Sequence, residues 1–282
     1  MNVESSASRV RELVRQARQA GAIVGVVPTM GALHAGHVSL IEAARRECDF
    51  VVTTIFVNPT QFGPNEDFDR YPRTLPEDLQ LCEAAGTDLV FTPETTAMYH
   101  PDAETVVRVT RLTERLEGAH RPGHFDGVTT VVAKLFNITV PDRAYFGQKD
   151  FQQQLIIRRM VRDLNWGLEV VTCPIVRESD GLALSSRNRY LSDRDRQRAL
   201  ALSQSLQQAR TLAADETVSP AEIERRMIEF LTSVEGLRLD YAVVVDGDTL
   251  ASVAPDAATV VALVAAEVGT TRLIDNQILR FR

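Results

Sequence analysis

Four stretches of the chain hold side chains whose types and spacing suit chemistry on anions. The first is Pro28-Thr29-Met30-Gly31-Ala32-Leu33-His34-Ala35-Gly36-His37. It follows an apolar, strand-like run and opens a helical pattern. That context aims backbone N–H groups and the positive end of a helix dipole at any anion in the crevice beyond the strand. Gly31 and Gly36 remove side chains where a nucleotide needs close backbone approach. His34 and His37, three apart, share one face at a helix start. Two imidazoles aimed at one point can donate hydrogen bonds to phosphate oxygens and stabilise charge that develops during transfer. The plain alternative is two histidines on a surface turn. A metal pair is a further use, but no third ligand accompanies them.

The second stretch is Phe56-Val57-Asn58-Pro59-Thr60-Gln61-Phe62-Gly63. It sits at the carboxyl end of residues 50–57, the most strand-like run, where open α/β sheets gather ligands. Asn58 and Gln61 each donate and accept hydrogen bonds, which suits a hydroxy acid. Asn-Pro is also ordinary turn chemistry. The 58–76 loop is long enough to be functional. Just beyond it, Glu77 and Asp78 could hold Mg²⁺, yet acids in a first helical turn are equally expected from the dipole, and that plain reading is preferred. The third stretch, Phe146 to Gln153, is again strand, Gly147, helix start. The dipole opposes a lysine there by a few tenths to about 1 kcal/mol, so Lys149 makes more sense with an anion beside it. Asp150 is a helix cap, a ribose contact, or both, and Gln153 faces the same crevice one turn on. The fourth is Val176 to Asn188. Asp180-Gly181 marks a tight turn. Ser185, Ser186 and Arg187 form a donor-rich cluster, with the arginine fork suited to phosphate oxygens. Alternatively, a helix capped at Ser192 leaves those serines incidental.

The elements that must position these groups alternate. Helical patterns cover 8–20, the segment after Gly36, 79–85, 128–136 and 151–164; strand-like runs cover 22–27, 50–57, 88–91, 105–109, 143–146 and 168–172. Such alternation implies βαβ units and a parallel sheet. Residues 118–127 read as a loop. After about residue 176 two helical patterns (193–213 and 220–231) precede strand-like runs at 239–245, 259–264 and 271–279. The fold class is therefore α/β, with domains at 1–175 and, smaller and α+β, at 176–282.

The chain has 282 residues, 44% hydrophobic and 24% charged, as globular proteins do, with net charge −7. An acidic chain is a poor candidate for gripping nucleic acid. No apolar run reaches the roughly 18 residues of a spanning helix, and the polar start is unlike a signal peptide. Cys48, Cys82 and Cys173 are scattered, without a CxxC, which argues against a disulfide framework or structural zinc. The expectation is a soluble cytoplasmic protein. Of the 31 bases, 29 are Arg and two are Lys, Lys134 and Lys149. Base composition explains most of that bias; a lysine that survives it is a candidate for a role Arg cannot fill.

PTMGALHAGHVSL at 28–40, with His-x-Gly-His after a first strand, resembles the signature of the nucleotidyltransferase and class I aminoacyl-tRNA synthetase superfamily. It is similar in particular to the pantothenate synthetase (pantoate–β-alanine ligase) family. FVNPTQFG at 56–63, FGQKDFQQ at 146–153 and RPGHFDGV at 121–128 match that family too, and 176–188 looks like its counterpart of the KMSKS loop. The last hundred residues match weakly. The resemblance implies a Rossmann-like N-terminal domain that binds ATP and pantoate, and a C-terminal lid. It implies ligation of (R)-pantoate to β-alanine through a pantoyl adenylate, releasing AMP and pyrophosphate, with Mg²⁺ on the triphosphate and no metal held by the protein alone. His34, His37, Lys149 and Arg187 would be catalytic. ATP would be met by Met30, Gly31, His34, Gly36 and His37, by Gly147, Lys149 and Asp150, and by Val176, Leu184, Ser185, Ser186 and Arg187. Gln61 and Gln153 would hold pantoate, assisted by Asn58. Arg121, His120 and His124 would be structural or gating. Many members carry Met where this chain has Thr60, a change expected to bear on packing more than chemistry. A homodimer is implied, without nucleic-acid or membrane partners. Two other readings stay open: a nucleotidyltransferase acting on a phosphorylated small molecule, which the neutral Asn58/Gln61/Gln153 set disfavours, and a non-catalytic nucleotide-binding module.

Overall fold

A computed structural model describes residues 1–64, 66–254 and 257–281. By its internal contacts the chain divides into two compact units: Met1–Gln148 with Gln152–Pro174, and Lys149–Phe151 with Ile175 onward.

The first unit runs β1 (Asn2–Glu4), α1 (Ala7–Gln19), β2 (Val24–Thr29), α2 (Ala35–Glu47), β3 (Phe50–Ile55), a 3-10 turn at Pro59–Gln61, α3 (Leu75–Ala84), β4 (Leu89–Phe91), α4 (Thr95–Met98), α5 (Glu117–His120), α6 (His124–Thr139) and β5 (Arg143–Gly147), then most of α7 (Phe151–Asp163) and β6 (Glu169–Cys173). The six strands form one sheet in the order β1-β4-β3-β2-β5-β6, every pair parallel. Val24, Val26, Val27, Val51, Val52, Leu89, Val90 and Phe91 are all buried, as expected of strands covered on both faces. Strand order reverses at β2: β3 and β4 lie on one side, β5 and β6 on the other. The crevice at such a switch point, beyond the carboxyl ends of β2 and β5, is where this topology binds ligands.

Three sequence expectations change. The short, polar β1 lies against β4 and carries no periodicity that would announce it. Residues 105–109 form no strand; the Val107 N–H donates to Thr130 Oγ1 at 3.0 Å and its carbonyl accepts from Thr129, so hydroxyls of α6 replace a ladder. The 118–127 loop is α5 and the start of α6. Asn65, inside the 58–76 loop, lies outside the described residues.

The second unit holds a 3-10 turn at Ser186–Tyr190, α8 (Asp193–Leu212), α9 (Pro220–Thr232), β7 (Leu237–Asp246), β8 (Val260–Val268) and β9 (Thr271–Leu279). The strands pair antiparallel in the order β7-β8-β9. Leu202, Leu206, Ile223, Met227 and Leu231 of the helices pack with Val264 of β8 in one core. Ser192 and Ser219 cap the helices, accepting from the N–H groups of Asp195 and Glu222 at 3.2 Å each, which satisfies donors that have no partner within the helix.

Candidate active site

At the carboxyl end of β2 the chain turns through two left-handed residues, Gly31 (φ 80°) and Ala32 (φ 50°). Successive N–H groups in such a turn converge into an anion-binding concavity. Here the chain fills it with its own carboxylate. Asp78, 2% exposed, accepts the Ala32 N–H at 3.0 Å and the Leu33 N–H at 2.7 Å. Thr74 adds a hydroxyl at 3.3 Å. A Cβ at Gly31 would sit 2.9 Å from that carboxylate. Glycine is therefore required by the turn itself, and Asp78, in the first turn of α3 as expected, is besides buried and committed to this turn.

His34 is the N-cap of α2. Its Nδ1 accepts the Gly36 N–H at 3.1 Å, and His37 Nδ1 faces the His34 N–H at a longer 3.4 Å. The rings lie 4.1 Å apart, tilted 35°. An imidazole that accepts through Nδ1 carries its proton on Nε2 when neutral. The two rings thus take up backbone donors that the sequence assigned to an anion.

The Asn58–Gln61 turn lies beyond β3. Asn58, 1% exposed, gives its two amide hydrogens to Gln61 Oε1 and the Gly127 carbonyl, both at 3.1 Å. Its Oδ1 accepts from Tyr99 Oη at 2.8 Å and Thr60 Oγ1 at 3.0 Å. Both amide hydrogens of Asn58 are used within the chain, and one of them holds Gln61, the assisting place expected of it. The Thr60 hydroxyl is a hydrogen-bonding member of this cluster, so the departure from Met concerns more than packing. Gln61 Nε2 in turn points at Met30 Sδ, 3.1 Å away.

The 121–128 segment braces this turn. The Gln61 carbonyl lies 2.8 Å from His124 Nδ1, and His124 Nε2 lies 3.1 Å from Arg121. The carbonyl requires a proton on Nδ1, and the guanidinium a lone pair on Nε2, which is the neutral tautomer. Burial first, then the Arg121 charge, push the His124 pKa down to about 4. Arg121 also pairs with Glu66. A Cβ at Gly127 would come within 2.3 Å of the Thr60 carbonyl oxygen, so only glycine lets α6 approach this closely.

Three consecutive glutamines at the start of α7 have different environments. Gln152 accepts the Glu117 N–H and donates to the carbonyls of Leu112 and Arg115. Gln154 accepts from the Thr172 hydroxyl. Both are buried. Gln153, between them, is half-buried and its amide bonds to no described residue.

In the second unit, Lys149 is half-buried within the 3-10 turn Gln148–Asp150. Its carbonyl accepts from Asn276 Nδ2 of β9 at 2.9 Å, while its ammonium pairs with no described carboxylate. Asp150 has no hydrogen bond from a backbone N–H among the described residues, so it does not act as the α7 cap. Val176 and Leu184 face each other across a narrow loop, the Leu184 N–H donating to the Val176 carbonyl at 3.0 Å. Gly181 makes the tight turn with φ 94°. Arg177 grips buried Asp275 with two hydrogen bonds, 2.6 and 2.9 Å. Ser185 accepts the Arg187 N–H at 3.2 Å and starts the 3-10 turn that carries Ser186 and Arg187.

The family model described as pantoate-beta-alanine ligase matches residues 2–278. This chain belongs to the pantoate–β-alanine ligase family. Among its relatives, the pantothenate synthetases of Moorella thermoacetica and Acetivibrio thermocellus are 52% and 50% identical over 279 residues, 99% of either chain in both cases. The Thermus thermophilus pantothenate synthetase crystal structure superposes with TM-score 0.92 at 48% identity, covering 98% of this chain and 99% of that one. A pantoate-beta-alanine ligase from Francisella tularensis, solved with beta-gamma ATP and beta-alanine, gives TM-score 0.80 at 33% identity, covering 99% and 97%. In this ligase the motif residues at 28–37, 56–63 and 121–128 are joined by hydrogen bonds within one unit. Two partners lie outside the stretches singled out in the sequence, Tyr99 and Asn276; of these only Asn276 left a signal, since Asp275-Asn276 interrupts an otherwise strand-like run.

Proposed function

We propose that the chain ligates (R)-pantoate to β-alanine using ATP through an acyl adenylate. A pantoate carboxylate oxygen attacks the α-phosphorus, the bond to the β-phosphate oxygen breaks, and pyrophosphate leaves. The β-alanine amine then attacks the acyl carbon, the bond to the AMP oxygen breaks, and a proton leaves the new amide. Such chemistry asks the protein to position anions and neutralise charge more than to supply a nucleophile. The observation that carries this reading is the imidazole pair: bonds from the backbone at the start of α2 to both Nδ1 atoms orient the two rings together at the switch point of the sheet. Lys149 and Arg187 would neutralise phosphate charge. Gly147, where an added Cβ would meet nothing within 4 Å, leaves room for the nucleotide. Gln61 and Gln153 would hold pantoate.

Among the described residues no group of three His, Cys, Asp or Glu could hold a metal, and Asp78 is already committed to the backbone. The donor set does not form a protein cage for Mg²⁺, so the ion would arrive on the triphosphate, as is common for that cation. A cytoplasmic homodimer belongs to the same proposal, with sedimentation as its check. The deciding assay is AMP release from ATP. It is expected only with pantoate and β-alanine both present; ADP as the product, or AMP with neither acid, overturns the reading.

A further inference from the structure

Asn58 is saturated, and what saturates it fixes the amide of Gln61. Because Asn58 Nδ2 donates to Gln61 Oε1, flipping the Gln61 amide would set NH₂ against NH₂. Gln61 is thereby held with its Nε2 hydrogens turned away from Asn58, as donors. A substrate oxygen is the group they suit. The orientation of Asn58 depends on what its own Oδ1 receives: the Tyr99 hydroxyl at 2.8 Å and the Thr60 hydroxyl at 3.0 Å. Tyr99 is itself held from two sides. Lys134 Nζ lies 5.5 Å from its ring centroid, within cation–π range, and the Phe56 ring is 6.4 Å away. Burial raises the phenol pKa, so the hydroxyl stays a donor. Lys134, one of only two lysines in the chain, thus stands at the outer end of a sequence of contacts that finishes at Gln61.

We infer that Tyr99 is a positioning residue for pantoate: its hydroxyl orients Asn58, Asn58 orients the Gln61 amide, and the Lys134 ammonium holds the Tyr99 ring. This rests on the reading that Gln61 contacts pantoate. Tyr99→Phe keeps the ring and removes the hydroxyl. One neutral hydrogen bond fewer is expected to raise KM for pantoate about fivefold. KM for ATP and for β-alanine, and kcat at saturating pantoate, stay within about twofold, a split that general loosening of the fold would not give. In a Gln61→Ala background, where there is no amide to orient, adding Tyr99→Phe is expected to change KM for pantoate no further. Lys134→Met and Thr60→Val each act on the same cluster and are expected to raise that KM about twofold; they carry the test should Tyr99→Phe fold poorly. Unchanged KM for pantoate in all three single variants overturns the inference. So does multiplication of the Tyr99 and Gln61 effects in the double variant. A wild-type enzyme that forms AMP without pantoate sinks the underlying reading instead, which keeps the two failures distinguishable.

Discussion

Around Asn58 and Gln61 the first unit spends neutral amides and hydroxyls on one another, whereas around residues 177–188 the second unit is held by ion pairs, Arg177 with Asp275 and Arg196 with Glu178 and Asp180. Asn58 is bonded at both ends of its amide. The Lys149 carbonyl accepts from Asn276, and its half-buried ammonium pairs with no described carboxylate. The difference matches the proposed division of labour, with pantoate at the first region and phosphate at the second. A hydroxy acid is read by direction, which needs dipoles locked before it arrives. Phosphate charge is read by proximity, and a compact ammonium on a flexible stem can follow it through transfer; the wider arginine fork is less suited to that motion.

The largest expected effect is at Lys149. Lys149→Ala should lower pantoate-dependent pyrophosphate exchange by about 10³ while leaving the melting temperature unchanged, because no described side chain loses a partner. Exchange near wild type would break the comparison at its strongest point. On the locked side, Asp78→Asn replaces an acceptor of two N–H groups with an amide that can satisfy them only in part. A loss of about 2–3 kcal/mol in urea unfolding is expected, together with lower activity; stability equal to wild type would show that the Gly31–Leu33 turn holds without it.

The His124 brace gives a pH signature. Its pKa is about 4 in the fold and about 6.5 in the unfolded chain. Above pH 6.5 both states are neutral and its contribution is fully present. As pH falls from 6.5 toward 4 the unfolded chain takes up a proton that the native state refuses, so stability is lost, on the order of 3 kcal/mol by pH 4. His124→Gln should flatten that part of the stability–pH curve relative to wild type, and parallel curves would refute the assignment. The smallest effects sharpen the contrast between neighbours. Gln153→Ala should raise KM for pantoate about tenfold without moving the melting temperature, and Gln152→Ala should cost about 1–2 kcal/mol of stability with little change in KM. The opposite pattern would mean that the two glutamines had been assigned the wrong way round.

The parallel sheet and the four motif stretches were legible in the sequence, since buried strands and Gly-bounded helix starts leave strong local patterns; the strand order, and with it the switch point, was not. The motif histidines and glutamines were legible for the same reason. What was not legible is who holds whom. Asp78 looks like any acid at a helix start, and nothing local says that it is buried against a turn 45 residues earlier. Asn58 advertises hydrogen-bonding capacity; only the fold reveals that Tyr99 and Gly127 have used it. Thr60 reads as a packing change until its hydroxyl is seen between Asn58 and Tyr99. The 105–109 segment has strand-like residues but lies along α6, where threonine hydroxyls meet its backbone. Local propensity identifies groups, and tertiary contacts decide whether they are offered to a ligand or kept.

The Asn276 tether also has a consequence in time. Lys149 is synthesised 127 residues ahead of the side chain that fixes its carbonyl. The imidazole pair, Asp78, Asn58 and Gln61 can all find their partners while the chain is still being made, yet the Lys149 segment must wait for β9. A growing chain would complete the Asn58–Gln61 turn first and the Lys149 tether last, so under the proposed roles partly made molecules would be silent rather than wasteful of nucleotide.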